Sequence, residues 1–457
     1  MGETLFVISD LHLGGAAGFQ MCSVAGRVRL ARFIDWTTEQ KRGDGKLHLV
    51  LNGDIVDFLA EKDDAGGFSA FVIDENKARR KLIRIAKECE PVFAALRRFA
   101  AAGNRLTLLI GNHDVELSLP SVRRHFLSLL GEGRIEYLYD NEAFTVGPVL
   151  IEHGNRYDGW NMVNHGELRQ IRSRLSRREA PGEFLAQPGS ELVARVMNPV
   201  KERFTFVDLL KPETGGVVLI LAVLDPGLWR EVGTAMRERA AAWYRGQFTK
   251  EGTPERGDYV AASVSAQSAT TEIIALPEDL RAWLDAADAA AAHALPPSGE
   301  VGRLKDIAVV GLLKAFRAWR DKADLTFNVE YEDEEYLKPA REHAKRFRVV
   351  VFGHTHLAKR INLGNNALYL NTGTWADVMR IPAMVYEGSE DDGTKALKSF
   401  LDDVEKNNIS GFRRQVATFA RIELDDNEQL QSADVFFFDD DGSMVSISSV
   451  GMCERLA

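Results

Sequence analysis

Cysteine is scarce in this sequence of 457 residues, and the few cysteines present are not paired in sequence. Cys22, Cys89 and Cys453 lie far apart, and no CxxC spacing occurs. This distribution excludes a disulfide framework and a structural zinc site made of paired cysteines, and it suits a reducing compartment. We interpret the three residues as buried, unreactive thiols.

Long apolar runs are missing as well. The longest, residues 217–224, is far shorter than the roughly 20 residues that a transmembrane helix needs. The start of the chain has no basic stretch typical of a signal peptide, and Phe6 stands where a myristoylation signal has Ser or Thr. We therefore expect a cytoplasmic protein without a transmembrane segment, and we leave open a peripheral contact with the inner membrane.

An excess of positive charge is also lacking, since 57 Lys and Arg stand against 67 Asp and Glu, for a net charge of −10. General binding to nucleic acid is therefore not expected, although a local basic groove is left open. The 45% of hydrophobic and 27% of charged residues are typical of a folded globular protein. Because the length exceeds that of one compact core, we expect a catalytic domain with a large insertion.

Short β-branched and Leu-rich segments that end at Gly, Asn or Asp predict buried strands. They cover residues 5–9, 47–51, 106–110, 149–151, 349–352 and 368–370, with further candidates at 416–423 and 434–438. Helical patterns at 27–40 and 76–101 lie between the early strands. This alternation predicts an α/β sheet covered by helices, with a site at the carboxyl ends of its strands.

The stretch 159–346 reads as mostly helical, with helices predicted at 228–248, 279–295 and 301–322 and loops at 250–257 and 296–299. We interpret it as a cap inserted into a catalytic core formed by 1–158 and 347–457. The apolar run 217–224 is best explained by a buried cap helix or a dimer contact. A pocket for an acyl chain and a contact with a membrane surface are the alternatives for it, and a homo-oligomer is left open.

Polar motifs follow five of the predicted strands. They are Asp10-Leu11-His12, Gly53-Asp54-Ile55-Val56-Asp57, Gly111-Asn112-His113-Asp114, His153-Gly154 and Gly353-His354-Thr355-His356. Residues two apart in an extended segment point to the same side, so each pair of ligand types in DxH and HxH can reach one site. Carboxylate oxygens and imidazole nitrogens suit a pair of Mn, Fe or Zn ions. The motifs together predict a metal site.

The order DxH, GDxxD, GNH[DE], HG and GHxH resembles the calcineurin-like metallophosphoesterase superfamily. The resemblance implies an α/β (α+β) fold, a β sandwich of two sheets flanked by helices, here with the helical cap insertion. It also implies two divalent metal ions, with Mn expected and Fe or Zn as alternatives. One ion would be held by Asp10, His12, Asp54 and His356, and the other by Asp54, Asn112, His153 and His354. Asp54 would bridge the two.

Such a site hydrolyses phosphoester bonds. Two cations lower the pKa of a bridging water from about 15.7 towards about 7, and the resulting hydroxide attacks phosphorus in line. His113 is predicted to act as general acid or to clamp the phosphate, with Asp57 orienting its imidazole. For Asp114, the capping of a turn and a functional role are equally good explanations.

The substrate is less well defined by the sequence. Arg156 follows the fourth motif, and Arg169 and Arg172 share a helix face. We name these three as candidate substrate-binding residues, although a solvated helix face explains the last two as well. The segment after His153 is partly similar to bacterial UDP-2,3-diacylglucosamine pyrophosphatases, but position 113 is histidine where that enzyme has arginine.

Several functions therefore remain as hypotheses. The first is hydrolysis of a phosphorylated small molecule, nucleotide or lipid. A nuclease, a cyclic-nucleotide phosphodiesterase or a UDP-sugar lipid pyrophosphatase would use the same site. A non-catalytic scaffold would be expected to lack ligands, whereas all seven positions hold competent residues.

Overall fold

The computed structural model describes residues 2–40, 45–211, 213–234, 298–318 and 320–456. The helix predicted at 279–295, most of the one predicted at 228–248 and the loop predicted at 250–257 lie outside these ranges. The strands are β1 (Glu3–Ile8), β2 (Lys46–Asn52), β3 (Arg105–Leu109), β4 (Arg134–Leu138), β5 (Phe144–Val146), β6 (Val149–Ile151), β7 (Val349–Phe352), β8 (Ala358–Gly364), β9 (Ala367–Thr372), β10 (Asp377–Met379), β11 (Arg413–Gln415), β12 (Thr418–Leu424), β13 (Leu430–Phe438) and β14 (Met444–Ser446).

The described helices fall into two groups along the chain. The first group precedes the gap at 235–297 and comprises α1 (Val24–Glu39), α2 (Glu75–Glu88), α3 (Glu90–Ala101), α4 (Pro120–Leu130), α5 (His165–Ser176), α6 (Pro188–Leu192), α7 (Asn198–Lys201) and α8 (Glu213–Leu224). The second comprises α9 (Ser298–Ala318), α10 (Arg320–Phe327), α11 (Glu334–His343), α12 (Ala383–Glu387), α13 (Glu390–Glu405) and α14 (Met452–Leu456).

Two mixed sheets form the centre of the fold. The larger has the strand order β14-β13-β12-β1-β2-β3-β4, and the smaller has the order β5-β6-β7-β9-β8. Strands β1 to β4 run parallel to one another, as do β6, β7 and β9. Parallel neighbours bring their carboxyl ends to the same edge, which is where loops can build a site.

Side-chain alternation along the strands explains how the sheets are layered. In β1, Leu5 and Val7 point between the two sheets, where they join Val351 and Leu370 of the smaller sheet in one buried cluster. Phe6 and Ile8 point the other way, into the cluster beneath α1 to α4. The outer face of the smaller sheet is covered by α11, through residues such as Tyr336 and Leu337. The fold is therefore the expected two-sheet sandwich flanked by helices.

A further apolar cluster joins helices that are distant in the chain. It contains Ile220 of α8, Phe316 of α9, Val385 of α12 and Phe400 of α13, each at most 1% exposed. The run 217–224 is thus a buried helix, as the sequence predicted. Among the described residues, every helix is too short or too polar to cross a membrane.

Two details of the predicted helices were wrong. The helix predicted over 76–101 is two helices that meet at Cys89, because Pro91 lacks an N–H and its ring would clash with the carbonyl of Lys87 in a continuous helix. The loop predicted at 296–299 is already helical from Ser298, and the helix predicted at 301–322 consists of α9 and α10. The predicted burial of Cys22 and Cys89 is confirmed.

Candidate metal centre

The five motifs meet at one edge of the sandwich. Asp10 follows the end of β1, Asp54 that of β2, Asn112 that of β3, His153 that of β6 and His354 that of β7. These strands come from both sheets, so the site lies where the carboxyl ends of the two sheets converge.

The backbone at the site is held in an unusual conformation. Asp10, His12, Asp54, His354 and His356 all have positive φ angles, between 42° and 70°. Non-glycine residues adopt this region at a cost of about 1–3 kcal/mol each and do so mainly where the surrounding structure imposes it. Here the Asp54 carbonyl accepts hydrogen bonds from the backbone N–H groups of Leu11 and His12, at 2.9 and 3.0 Å. Strain at five predicted ligands indicates that function sets their geometry.

Two glycines permit the close approach of the loops. At Gly53, φ is +80° and a Cβ would lie 2.4 Å from Nδ1 of His153. At Gly111, a Cβ would lie 2.1 Å from Oδ1 of Asp54. Any larger residue would collide with a predicted ligand at either position, which explains glycine in both motifs.

Asp10, His12 and His356 form one group of potential ligands, with one donor atom from each within 4.8 Å of the others. The Nε2 atoms of His12 and His356 are 2.9 Å apart, and Oδ1 of Asp10 is 3.4 Å from Nε2 of His356. The other oxygen of Asp10 accepts the backbone N–H of His354 at 2.9 Å. One carboxylate oxygen therefore anchors the loop while the other faces the imidazoles.

Asp54, His153 and His354 form a second group, again within 4.8 Å. Oδ2 of Asp54 lies 3.3 Å from Nε2 of His153 and 3.9 Å from Nε2 of His12. This oxygen thus lies between the two groups, the position required of a bridging ligand. Asn112 lines the same cavity as Asp54 and His354.

Burial and hydrogen bonding show that these side chains fit metal ions. Oδ1 of Asp10, Oδ1 of Asn112 and Nε2 of His153 are buried without any hydrogen-bond partner, which is costly unless a ligand satisfies them. The Nδ1–H of His153 donates to the Asn52 carbonyl at 2.8 Å. This bond leaves the lone pair of Nε2 free to coordinate, as the partners of metal-binding histidines usually do. The mixed nitrogen and oxygen donors suit Mn, Fe or Zn.

Asp57 contacts two histidines of the site. Its Oδ1 lies 3.3 Å from Nδ1 of His113, and its Oδ2 lies 3.3 Å from Nδ1 of His12. Burial opposes charge at His113, but Asp57 and Asp54 outweigh it and raise the pKa of His113 to about 10. The pKa of Asp57 is lowered by the same contact with His113, against the effect of its burial. Both shifts in pKa favour an imidazolium beside a carboxylate.

Asp114 links two of the motif loops. Its carboxylate oxygens accept the backbone N–H groups of Gly111 and Ile55, both at 2.7 Å. Burial and the nearby charge of Asp54 raise the pKa of Asp114 to about 7. Of the two explanations offered by the sequence, the geometry favours the structural one, in which Asp114 fixes the loops that carry Asp54 and Asn112.

Asp158 belongs to the site, although no motif in the sequence predicts a role for it. Its Oδ2 lies 3.0 Å from Nε2 of His354 and accepts a hydrogen bond from Nδ2 of Asn161 at 2.6 Å. Burial opposes ionisation, but His354 outweighs it and lowers the pKa of Asp158. In the sequence, only the polar segment after His153-Gly154 hints at this contact. The segment does not show which of its polar residues reaches the metal ligands.

The three candidate substrate-binding arginines lie elsewhere. Arg156 is 3.7 Å from the carboxylate of Glu152, and both Arg169 and Arg172 pair with Asp140. None of the three lines the cavity at the metal centre. Arg169 and Arg172 share the carboxylate of Asp140, a pairing across the fold that sequence spacing cannot show.

A cavity of about 650 Å³ opens from the metal centre. One side is lined by Asp54, Asn112, His113, His354 and His356. An apolar wall of the same cavity is formed by Leu192, Val193, Met197, Val207, Val217, Val218 and Val232. Lys201 and Lys211 also line it. The lining of the cavity thus combines polar and apolar side chains.

Part of the chain is similar to a known protein family. A family model for calcineurin-like phosphoesterase matches residues 4–216, a range that includes the first four motifs. The fifth motif, with His354 and His356, lies beyond it, but folding brings both histidines to the four motifs inside the match. No curated protein matches the chain.

Proposed function

We propose that the chain is a metal-dependent hydrolase of phosphoester bonds, since residues 4–216 match the family model for calcineurin-like phosphoesterase. The proposal includes its ligands, catalytic groups and substrate class. Asp10, His12, Asp54 and His356 hold one divalent cation. Asp54, Asn112, His153 and His354 hold a second, and manganese is the proposed metal at both sites.

The observation that carries this proposal is the set of unpartnered atoms at the site. Oδ1 of Asp10, Oδ1 of Asn112 and Nε2 of His153 come from three different loops and are all buried. An apo site that needed no ligand would be expected to satisfy them within the protein. The position of Asp54 between the two groups supports its role as the bridging ligand.

The chemistry divides between the ions and the protein. When bound, two divalent cations activate a water molecule and neutralise charge that develops on the phosphoryl oxygens. His113 faces the same cavity, and Asp57 fixes the orientation of its imidazole through Nδ1. The free Nε2–H of His113 is then placed to donate a hydrogen bond or a proton to the leaving oxygen.

The cavity favours a small substrate. Its volume of about 650 Å³ is that of a site for a small organic molecule. The apolar wall supports a substrate with an apolar group next to its phosphoester. Lys201 and Lys211 are accompanied by Asp208 and Glu332 in the described lining, which is not the basic groove that a nuclease would need.

Residues 159–346 supply the apolar wall, and we assign them the role of a cap over the metal centre. The core is then formed by 1–158 and 347–457. The free, buried thiols of Cys22 and Cys89 support a reducing compartment such as the cytoplasm for this activity.

The test is metal-supported turnover by the full-length chain. After removal of bound metal and addition of Mn(II), hydrolysis is measured with p-nitrophenyl phosphate, its bis-ester, nucleotides, a UDP-sugar lipid and single-stranded DNA. The first two substrates distinguish a preference for monoesters from one for diesters. The nucleotides and the UDP-sugar lipid distinguish a polar from an apolar substrate. Preferential cleavage of single-stranded DNA would refute the small-substrate assignment.

Substitutions separate the proposed roles. Asp54→Asn should abolish turnover, whereas Asp64→Asn, at an exposed carboxylate outside the cavity, should leave it unchanged. Asn112→Ala should lose metal, and His113→Ala should keep metal but hydrolyse slowly. Undiminished turnover of Asp54→Asn would eliminate the bridging assignment.

A further inference from the structure

A second cleft, of about 760 Å³, lies between α4 and α5 and shares no lining residue with the metal-centre cavity. Its lining is dominated by guanidinium groups from these two helices and the turn after α5, namely Arg123, Arg124, Arg169, Arg172 and Arg178. Tyr139 and Asp140, which follow β4, also line it together with Glu75 of α2.

The positive charge of this cleft is only partly balanced. Arg169 and Arg172 share a single carboxylate, that of Asp140. Within the described ranges, Arg123, Arg124 and Arg178 form no ion pair, and Glu75 instead accepts the backbone N–H of Ser121. Guanidinium groups keep their protons at any ordinary pH, so five positive charges face two negative ones in this cleft.

Two of the guanidinium groups have a buried nitrogen atom. The Arg172 side chain is only 9% exposed; one of its nitrogens binds Asp140, while Nη1 is buried without a partner. Nη1 of Arg123 is likewise buried and unpartnered. Both groups are oriented by Tyr139, with their central carbons 3.8 Å (Arg123) and 5.2 Å (Arg172) from the centre of its ring. A buried N–H donor that is held in place without a hydrogen-bond partner is expected where a ligand supplies the acceptor.

We propose that this cleft is a binding site for a multiply charged, phosphate-bearing anion. The planar fork of a guanidinium matches two phosphate oxygens, and an ionised acceptor gives stronger hydrogen bonds than a neutral one. The volume admits an anion larger than inorganic phosphate, such as a diphosphate group with its substituent. This site is independent of the catalytic proposal, since no metal ligand takes part in it.

Calorimetric titration of the full-length, metal-depleted chain with inorganic pyrophosphate tests the site. Arg172→Gln removes the buried donor and should weaken binding about tenfold or more, the effect of losing one charge-assisted hydrogen bond. Arg124→Gln, at an exposed residue whose loss does not endanger folding, should also weaken it several-fold. The matched control is Arg174→Gln, which removes the same charge from the same helix outside the cleft and should change affinity less than about twofold.

The results distinguish a site from general electrostatics and identify the source of the phosphate. Equal weakening by Arg174→Gln, or no weakening by Arg172→Gln and Arg124→Gln, would overturn the proposal. Sedimentation with phosphatidylcholine vesicles containing a phosphoinositide forms the second arm. Binding of pyrophosphate assigns a soluble anion, and Arg172-dependent binding of vesicles alone assigns a lipid headgroup. Binding of neither would also overturn the proposal.

Discussion

Replacing Gly111 by alanine should inactivate the enzyme without unfolding it. A Cβ at this position would lie 2.1 Å from Oδ1 and 2.4 Å from the backbone nitrogen of Asp54. Since such atoms do not approach closer than about 3 Å in a packed interior, one of the two loops must move by roughly 0.9 Å. The same oxygen accepts the backbone N–H of His113 at 2.8 Å, so the displacement reaches the proposed bridging ligand and His113 together.

The size of the effect follows from this displacement. Metal ligands tolerate changes of about 0.2 Å, and a misplacement of about 1 Å in an active site costs on the order of 100-fold in rate. We therefore expect kcat/KM for the bis-ester of p-nitrophenyl phosphate to fall about 100-fold, or about 2.7 kcal/mol in transition-state stabilisation. The metal content, measured by mass spectrometry, should fall with it.

A matched variant controls for the added methyl group. Gly67→Ala places its Cβ in open space, with nothing within 4 Å, and should retain full activity and metal. Circular dichroism verifies that both variants are folded. If Gly111→Ala kept its metal and hydrolysed the bis-ester within twofold of the unmodified chain, the described approach of the two loops would be incorrect.

Three other predictions concern the site and its support. Asp158→Ala removes the partner of His354 and should weaken metal binding about 10- to 100-fold, as measured by Mn(II) titration; an unchanged affinity would show that Asp158 does not orient His354. Burial raises the pKa of Glu116 from 4.5 to about 7, so its contribution to stability is complete below pH 4.5 and is lost as the pH rises to about 7. Glu116→Gln should therefore stabilise the protein in urea by up to about 3 kcal/mol at pH 8 and much less at pH 4, whereas the exposed substitution Glu132→Gln should not; equal effects at both pH values would contradict the proposed burial. Removal of metal should lower the melting temperature, and Mn(II) should restore it in the unmodified chain but not in Asp54→Asn.

Local patterns predicted most of the strands that position the site. The segments at 149–151 and 349–352 coincide with β6 and β7, and those at 5–9 and 47–51 lie within a few residues of β1 and β2. These strands are buried on both faces and therefore read as continuous apolar runs. By contrast, β4 and β8 were not predicted, because each is at the edge of its sheet and both have polar, partly exposed residues.

The break between α2 and α3 also has a local cause, which is Pro91. The helical pattern continues on both sides of this proline, so one long helix was predicted. The missed role of Asp158 has a different cause. Nothing in the sequence near Asp158 indicates that it meets His354, which is 196 residues away. In the same way, Arg169 and Arg172 share a helix face as predicted, yet it is Asp140 from a distant turn that determines where they point.

By itself, the sequence determined the chemistry that is available: carboxylate, amide and imidazole donors directly after buried strands, with glycines where no side chain can fit. These properties depend on residues that are close together in the chain. Motifs with spacings of one to four residues are therefore enough to predict them. Only the tertiary structure decided which donors face one another. His354 and Asp10, for example, follow strands of different sheets and meet because the two sheets pack together. The tertiary structure likewise placed the arginines of α4 and α5 around one cleft, since relations between elements depend on packing across the whole chain.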